Sequence, residues 1–390
     1  MIRTGSDRLL DESKVLAGRR YGLLGHAASI TGACQATHMA LAASPGGAPA
    51  ALFGPEHGYY GVEQYMEASD DQVDPLTGVP ILSLYGDTVE SLRPQPEAFA
   101  GLDLLLIDLQ DVGSRYYTYA ATAVWAAEVA LEAGLEVWVL DRPNPLGGEV
   151  VEGDLPRPGY DSFVGAFEIP VRHGLTLGEL VRLEASRRGW RDGLDVWTMD
   201  GWRRSMFWAE TGLPWVAPSP NMPTVRTTQV YPGGCLFEAT GVSEGRGTTQ
   251  PFQQIGAPGI DVGTLLRHLE ALALPGVRFL PAYFRPQFEK HAGEVCAGVR
   301  LHVTSPESFP AYRCGVEILA VLHDHFADPF EWRREPYEFV SDRPAIDLLT
   351  GGPELRSALE SGRGTQDWVE SWGADEARFR QERLGVLLYS

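Results

Sequence analysis

The sequence predicts an α/β protein, in which helices cover both faces of a mostly parallel sheet and a smaller α+β domain follows. Two observations support this fold class. Short apolar runs alternate along the chain with helical patterns. In addition, 390 residues with 44% hydrophobic content are enough for one large and one smaller domain.

Four apolar runs in the first part of the chain indicate buried strands. They lie at residues 21–24, 51–53, 104–109 and 137–140. Each run ends at a polar or turn residue. Between them a helical pattern spans residues 116–133 and stops at Gly134, as a glycine just beyond a helix end should. Ligands of such sheets bind beyond the carboxyl ends of the strands, which is therefore where we expect the site.

The later elements are predicted from local signals. Thr176 and Glu179 form a capping box that opens a helix running towards Arg188. After residue 198, tryptophans and the proline-rich VAPSPNMPT stretch predict long ordered loops, and from about residue 261 helix and strand patterns resume. We therefore expect a sheet domain at residues 1–240 and a smaller α+β domain at residues 241–390.

Composition excludes several classes of partner. The formal net charge of −20 argues against a nucleic acid or an anionic membrane. No run of 18 apolar residues occurs, and the N-terminal stretch lacks the apolar core of a signal peptide, so a cytoplasmic location is expected. The four cysteines lack the CxxC spacing of a zinc or redox site.

Glu56 and His57 are the strongest local candidates for catalysis. They directly follow the predicted strand ALFGP, where a carboxylate and an imidazole could act as general acid and base. A loop glutamate that caps a backbone amide is the structural alternative. The position at a strand end favours the catalytic interpretation.

Two further strand ends carry polar side chains. Asp111 follows one of them, ahead of Arg115, Tyr116 and Tyr119, a combination suited to a polar ligand because guanidinium binds carboxylates and aromatic rings stack on sugars. Asp111 as a helix N-cap is the alternative. The other strand end supplies Asp141, Arg142 and Asn144, and the prolines on both sides of Asn144 fit a rigid turn or a substrate contact equally well.

Several other residues leave two interpretations open. His173, just before the capping box, is a ligand candidate or a structural histidine. Asn221 lies in a proline-rich segment that predicts a rigid loop, and Arg246 lies in a glycine-rich loop that matches no nucleotide-binding pattern. Glu56, His57, Asp111 and His173 could together ligate a divalent metal ion, although their spacing matches no preformed metal motif.

Taken together, these segments resemble one family. FGPEHGYYG, DLQDVGSRYYTY, VLDRPNPLGG, TGLPWVAPSPNMPT and SEGRGTTQPF are similar to the DUF1343 family, which is associated with exo-β-N-acetylmuramidases of the NamZ type. The similar segments span roughly residues 22–389. Two positions depart from the family pattern: the stretch from Gly25 to Ala28 brings in His26 where relatives often have an amide, and Gly241 replaces a common asparagine.

The resemblance implies a glycoside hydrolase that removes N-acetylmuramic acid from the non-reducing end of peptidoglycan fragments. It also implies a Rossmann-like domain with a smaller C-terminal domain closing a cleft, and it makes Glu56 the preferred catalytic carboxylate, with its partner open. The expected catalytic residues are Glu56, His57 and Asp111. The expected substrate-binding residues are His26, Arg115, Tyr116, Tyr119, Asp141, Arg142, Asn144, His173, Asn221 and Arg246.

The expected ligand is a muropeptide or a disaccharide that contains muramic acid, and a cytoplasmic copy would act in cell-wall recycling. Neither a cofactor nor a metal ion is predicted. Retaining, inverting and substrate-assisted mechanisms all remain open, because the sequence does not define a distance between carboxylates. The alternatives are a sugar-binding protein without catalytic activity and a metal-dependent hydrolase.

Overall fold

The computed structural model describes residues 2–64, 71–86, 88, 90–328 and 330–390. The strands are β1 Tyr21–Gly25, β2 Ala51–Gly54, β3 Gln72–Val73, β4 Pro80–Ser83, β5 Leu104–Asp108, β6 Glu136–Leu140, β7 Leu194–Trp197, β8 Gln254–Ala257, β9 Val277–Phe284 and β10 Cys296–Val303. The α-helices are α1 Gly5–Asp11, α2 Thr37–Ala42, α3 Tyr119–Glu132, α4 Leu177–Arg188, α5 Trp208–Thr211, α6 Val225–Gly234, α7 Val262–Ala271, α8 Ala311–His325, α9 Ala345–Thr350, α10 Glu354–Glu360 and α11 Gln366–Arg383.

The described part of the chain contains a seven-stranded sheet in the order β3-β4-β2-β1-β5-β6-β7. All neighbouring strands pair in parallel except β3, which runs antiparallel to β4 at one edge. Chain order reverses beside β1, because β2 and β4 lie on one side of it and β5 to β7 on the other. This is the doubly wound arrangement that the alternation of strands and helices predicts.

The side chains of the central strands alternate between two apolar layers. Leu23 and Leu106 pack on the face that α1 and α2 cover, whereas Leu24 and Ile107 pack with α3 and α4 on the other face. Both layers are buried, so these strands consist almost entirely of apolar residues, as strands of a parallel sheet covered on both faces do.

The second, smaller sheet is antiparallel and has the order β8-β10-β9. Helix α7 packs on β9 and β10, α6 packs on β10, and α8 packs against α6 and α7. The chain then returns to the large sheet. Arg383 at the end of α11 donates hydrogen bonds to the carbonyls of Gly148 and Gly174, and the Tyr389 hydroxyl donates to Asp141.

Local signals in the sequence account for the boundaries near the site. The predicted capping box at α4 is present, since Thr176 accepts from the amide of Glu179 and the Glu179 carboxylate accepts from the amide of Thr176. The predicted loop at residues 218–224 contains neither helix nor strand. Among the described residues, the search for a helix long and apolar enough to cross a bilayer finds none.

Candidate functional site

Glu56 lies at the carboxyl end of β2 and at the start of α3. Its side chain is buried, and its Oε2 accepts a hydrogen bond of 2.6 Å from the hydroxyl of Thr118. Thr118 stands at the N-cap position of α3, but its side chain does not cap the helix. Its hydroxyl instead orients Glu56, and the positive end of the helix dipole favours a negative charge there.

The backbone around Glu56 is held in an uncommon conformation. His57 has a φ of 71°, in the left-handed region that a non-glycine residue rarely adopts. Its Nδ1 donates a hydrogen bond of 2.9 Å to the carbonyl of Glu63. The hydroxyl of Tyr119 donates to the carbonyls of Glu56 and Pro218, which ties this turn to the proline-rich loop. The sharp turn after β2 therefore directs Glu56 towards the cleft.

The second domain supplies charged residues to the same cleft. Glu238 accepts hydrogen bonds from Arg246, at 2.5 Å, and from the hydroxyl of Tyr337, at 2.8 Å. Arg246 also lies 3.6 Å from Glu244. Two carboxylates therefore hold the Arg246 guanidinium in place at the cleft wall.

Glu338 is a third glutamate in the cleft, and it lies on a strained turn. Tyr337 and Val340 exchange two backbone hydrogen bonds around it, at 2.9 and 3.0 Å. The two central residues of this turn, Glu338 and Phe339, have φ values of 46° and 65°. Positive φ at both central positions is the pattern of a type I′ turn, which favours asparagine and glycine. The chain here carries a glutamate and a phenylalanine.

The Glu338 carboxyl group lies in a setting that opposes its ionisation. The residue is buried, and its Oε2 has no hydrogen-bond partner among the residues that the structure describes. Burial, together with the negative charges of Glu56 and Glu238, raises the pKa of Glu338 well above its ordinary value. Arg246 and Arg333 oppose this shift without cancelling it.

The cleft is narrow, with a cavity volume of about 40 Å³. Aromatic rings make up much of its wall; for example, Tyr231 packs edge to face on Phe252 with ring centroids 4.8 Å apart. The lining residues are Glu56, His57, Tyr116, Tyr117, Thr118, Val164, Ser219, Asn221, Met222, Tyr231, Glu238, Arg246, Phe252, Tyr337 and Glu338. Carboxylates, an arginine and aromatic faces are the groups that bind a charged sugar.

The structure brings five of the thirteen predicted site residues into this lining: Glu56, His57, Tyr116, Asn221 and Arg246. The other eight do not line it: His26, Asp111, Arg115, Tyr119, Asp141, Arg142, Asn144 and His173. Most of these have their polar atoms bonded within the protein, as the following three groups show.

His26 and Arg142 connect neighbouring strand ends. The Nε2 of His26 accepts from the amide of Gln110 at 2.8 Å, and burial followed by the charge of Arg142 lowers the pKa of His26 to about 3. Arg142 forms a buried two-point ion pair with Asp108, with bonds of 2.6 and 2.9 Å. The departure from the family pattern at His26 thus lies in the scaffold and outside the cleft lining.

Arg115, Asn144 and Asp141 hold loops together. Arg115 donates to the backbone carbonyls of Asp154, Ile169 and Leu349, and Asn144 donates to that of Leu175. Asp141 accepts from Thr176, Gly178 and Tyr389 at the start of α4. These three residues make structural contacts outside the cleft lining, and a substrate contact of any of them stays a prediction.

Asp111 and His173 form a buried pair. The Nδ1 of His173 accepts from the amide of Leu175, so its Nε2 carries the proton of the neutral ring, 3.8 Å from Oδ2 of Asp111. Burial raises the pKa of Asp111 to about 7 and, with the charges of Arg383 and Arg204, lowers that of His173 to about 3. Both groups are thus stabilised in their neutral forms. Glu56 and His57 do not join them, and no group of three or more potential metal ligands was found in the described residues.

Glu238, Tyr337 and Glu338 are among the cleft residues that the sequence does not reveal. Glu238 stands close to the glycine-rich loop that contains Arg246, which is a weak local signal. Glu338 has no such signal, because its position depends on a turn that the residues Glu and Phe do not predict.

An α/β sheet with a carboxylate-lined cleft closed by a second domain defines an enzyme that acts on a small polar molecule. Two family models match the chain and identify the kind of enzyme. The model of the exo-beta-N-acetylmuramidase NamZ N-terminal domain matches residues 21–226, and that of its C-terminal domain matches residues 229–389. The chain belongs to the exo-β-N-acetylmuramidase NamZ family.

Individual proteins show the same relationship. The peptidoglycan beta-N-acetylmuramidase NamZ of Bacillus subtilis (strain 168) is 41% identical over 389 residues, which cover 100% of this chain and 91% of the relative. Two crystal structures of DUF1343 family proteins from Bacteroides fragilis NCTC 9343 match with TM-scores of 0.90 and 0.75, at 32% and 28% identity. Each match covers 100% of this chain and 99% of the other. The α/β fold class and the family predicted from the motifs are thereby confirmed.

Proposed function

We propose that this protein is a glycoside hydrolase that releases terminal N-acetylmuramic acid from the non-reducing end of peptidoglycan fragments. The observation that carries the proposal is the placement of Glu56. It is a buried carboxylate held by Thr118 at a helix start, in a chain 41% identical over its full length to a peptidoglycan β-N-acetylmuramidase. Glu56 is a catalytic carboxylate of the hydrolysis.

The cleft offers partners for each distinctive part of this sugar. N-Acetylmuramic acid carries a lactyl carboxylate, and the guanidinium of Arg246 is the group suited to bind it. Asn221 provides an amide for the acetamido group, and Tyr116 and Tyr231 provide aromatic faces for the ring. These assignments make a muropeptide or a muramic acid disaccharide the natural ligand.

The first test is an assay with the 4-nitrophenyl β-glycosides of N-acetylmuramic acid and N-acetylglucosamine. The wild type should cleave the muramic acid glycoside preferentially, and Glu56→Gln should lower kcat by about 10²–10⁴-fold. Glu307→Gln, at an exposed position, is the matched control and should keep the wild-type rate. A wild type that cleaves neither glycoside, or a fully active Glu56→Gln variant, contradicts the proposal.

Proton NMR of the first sugar released then defines the stereochemical course. An α-anomer indicates inversion, whereas a β-anomer indicates retention, through either an enzyme nucleophile or the acetamido group of the substrate. The cytoplasmic location and the role in cell-wall recycling stay predictions, which cell fractionation and muropeptide profiles of a deletion strain would test.

A further inference from the structure

Glu338 combines three features that a structural glutamate does not need. It lines the cleft that contains Glu56, it is buried, and within the described part of the chain one of its carboxyl oxygens has no hydrogen-bond partner. A buried carboxyl oxygen without a partner is energetically costly unless something else compensates. A ligand bound in the cleft would supply the missing partner.

The backbone at Glu338 adds an independent observation. Residues 338 and 339 both lie in the left-handed region, at positions where asparagine or glycine would relieve the strain. Non-glycine residues in such conformations are strained and persist mainly at functional sites. The position of Phe339 has a structural reason, because its ring packs on Tyr85 of the sheet domain, with ring centroids 6.4 Å apart.

We propose that Glu338 is the proton donor of the hydrolysis, acting as general acid towards the glycosidic oxygen. This assignment rests on the proposed function. The proton passes from the Glu338 carboxyl group to the leaving oxygen as the C1–O bond breaks, and the bonding electron pair stays on that oxygen. Water then forms the new bond to C1 and returns one proton to the pair of carboxyl groups formed by Glu56 and Glu338. The second domain therefore contributes a catalytic residue as well as closing the cleft.

The charges around Glu338 fit this role. Burial and the negative charges of Glu56 and Glu238 favour its protonated form, and a proton donor must hold its proton at the working pH. Glu238 is itself occupied, because it accepts hydrogen bonds from Arg246 and Tyr337. Glu238 is therefore a positioning residue, and Glu338 is the carboxyl group able to give up a proton.

The experiment compares two leaving groups in Glu338→Gln. A 4-nitrophenolate leaves without protonation, whereas the sugar alcohol released from a muramic acid–glucosamine disaccharide needs an acid. Glu338→Gln should lose about 100-fold or more in kcat on the disaccharide but less than about 10-fold on the nitrophenyl glycoside. Glu56→Gln should lose activity on both. The alkaline limb of the wild-type kcat/KM profile should disappear in Glu338→Gln.

Three controls separate this role from a structural one. Glu335→Gln, an exposed glutamate in the same loop, should behave like the wild type on both substrates. The Tm of Glu338→Gln should equal or exceed that of the wild type, because the substitution removes an acid from a buried, negatively charged setting. If Glu338→Gln fails to fold, Glu338→Asp, which keeps an acid but withdraws it from the substrate, should show the same dependence on the leaving group.

Equal losses on the two substrates, or an unchanged alkaline limb in Glu338→Gln, would overturn the assignment while leaving the glycosidase activity in place. A wild type that cleaves neither substrate would overturn the proposed function and this assignment with it.

Discussion

His57 and Glu338 hold left-handed backbone conformations on opposite domains of one cleft. Such conformations are maintained by the surrounding structure, here by the hydrogen bond from His57 to Glu63 and by the paired backbone of Tyr337 and Val340. The backbone is therefore strained at both residues. His57 directly follows Glu56, and Glu338 itself carries the other carboxyl group to which we assign the chemistry.

Asp111 allows a test by pH at the residue scale. Its pKa rises from 3.8 in an unfolded chain to about 7 in the folded protein, mainly through burial. The stability linked to this group is therefore present below pH 3.8 and is lost as the pH rises through about 7. Asn cannot ionise, so Asp111→Asn should gain stability relative to wild type as the pH rises, by at most about 1.4 kcal/mol per pH unit.

Urea unfolding of both proteins at several pH values between 4 and 8 measures this effect. A difference in free energy of unfolding that stays constant with pH would mean that Asp111 is ionised throughout. The same variant also decides its role in hydrolysis. Loss of activity in a folded Asp111→Asn would support the catalytic role that its position at a strand end suggests, whereas retained activity would support the structural pair with His173.

At the scale of elements, the predicted helix at residues 116–133 begins later, at Tyr119. The three residues before it serve the site, since Tyr116, Tyr117 and Thr118 all line the cleft. Hydrophobic periodicity could not separate these roles, because a buried cleft residue and a buried core residue produce the same pattern. Periodicity did locate the four apolar strands and, through their ends, Glu56.

Other parts of the site depend on contacts that no local pattern encodes. From the sequence, every polar residue at a strand end is a plausible substrate-binding residue. In the structure, however, Arg142 pairs with Asp108, and His26 binds the backbone of Gln110. Which strand-end side chain faces the cleft is decided by packing between the strands. Glu338 is the opposite case, because no local pattern predicts it and yet it lines the cleft. It reaches the cleft because the chain returns to the large domain after α8.

Helix α4 provides a prediction about the element itself. Thr176 caps the helix by accepting from Glu179, and its hydroxyl also donates a 2.7 Å bond to buried Asp141. Thr176→Ala should therefore lower the free energy of unfolding by about 2 kcal/mol, more than the loss of a cap alone. Asp261→Ala, which removes the exposed cap of α7, is the matched comparison and should have the smaller effect. Equal losses in urea unfolding would mean that the bond to Asp141 contributes nothing.

At the scale of the whole molecule, the two family domains share one apolar core. A single buried cluster extends from Leu24 in the large sheet to Val386 near the C-terminus. The family models divide the chain at residues 226–229, near the boundary predicted at residue 240. Because the core crosses this division, we expect both domains to unfold together. A cleft built from both domains needs this rigidity, since Glu56 and Glu338 must keep their relative positions.

The C-terminal tail tests this cooperativity. The Tyr389 hydroxyl donates a 2.6 Å bond to buried Asp141 and accepts one of 3.0 Å from the amide of Met199. Tyr389→Phe removes one of the hydrogen bonds to Asp141 and takes the acceptor away from the amide of Met199, and it should lower the free energy of unfolding by about 1–3 kcal/mol. Calorimetry should show one transition that moves as a whole to lower temperature. Tyr283→Phe, which removes a hydroxyl from a ring that is 68% exposed, should leave the Tm unchanged. If Tyr389→Phe instead splits unfolding into two transitions, the tail couples two units that fold separately.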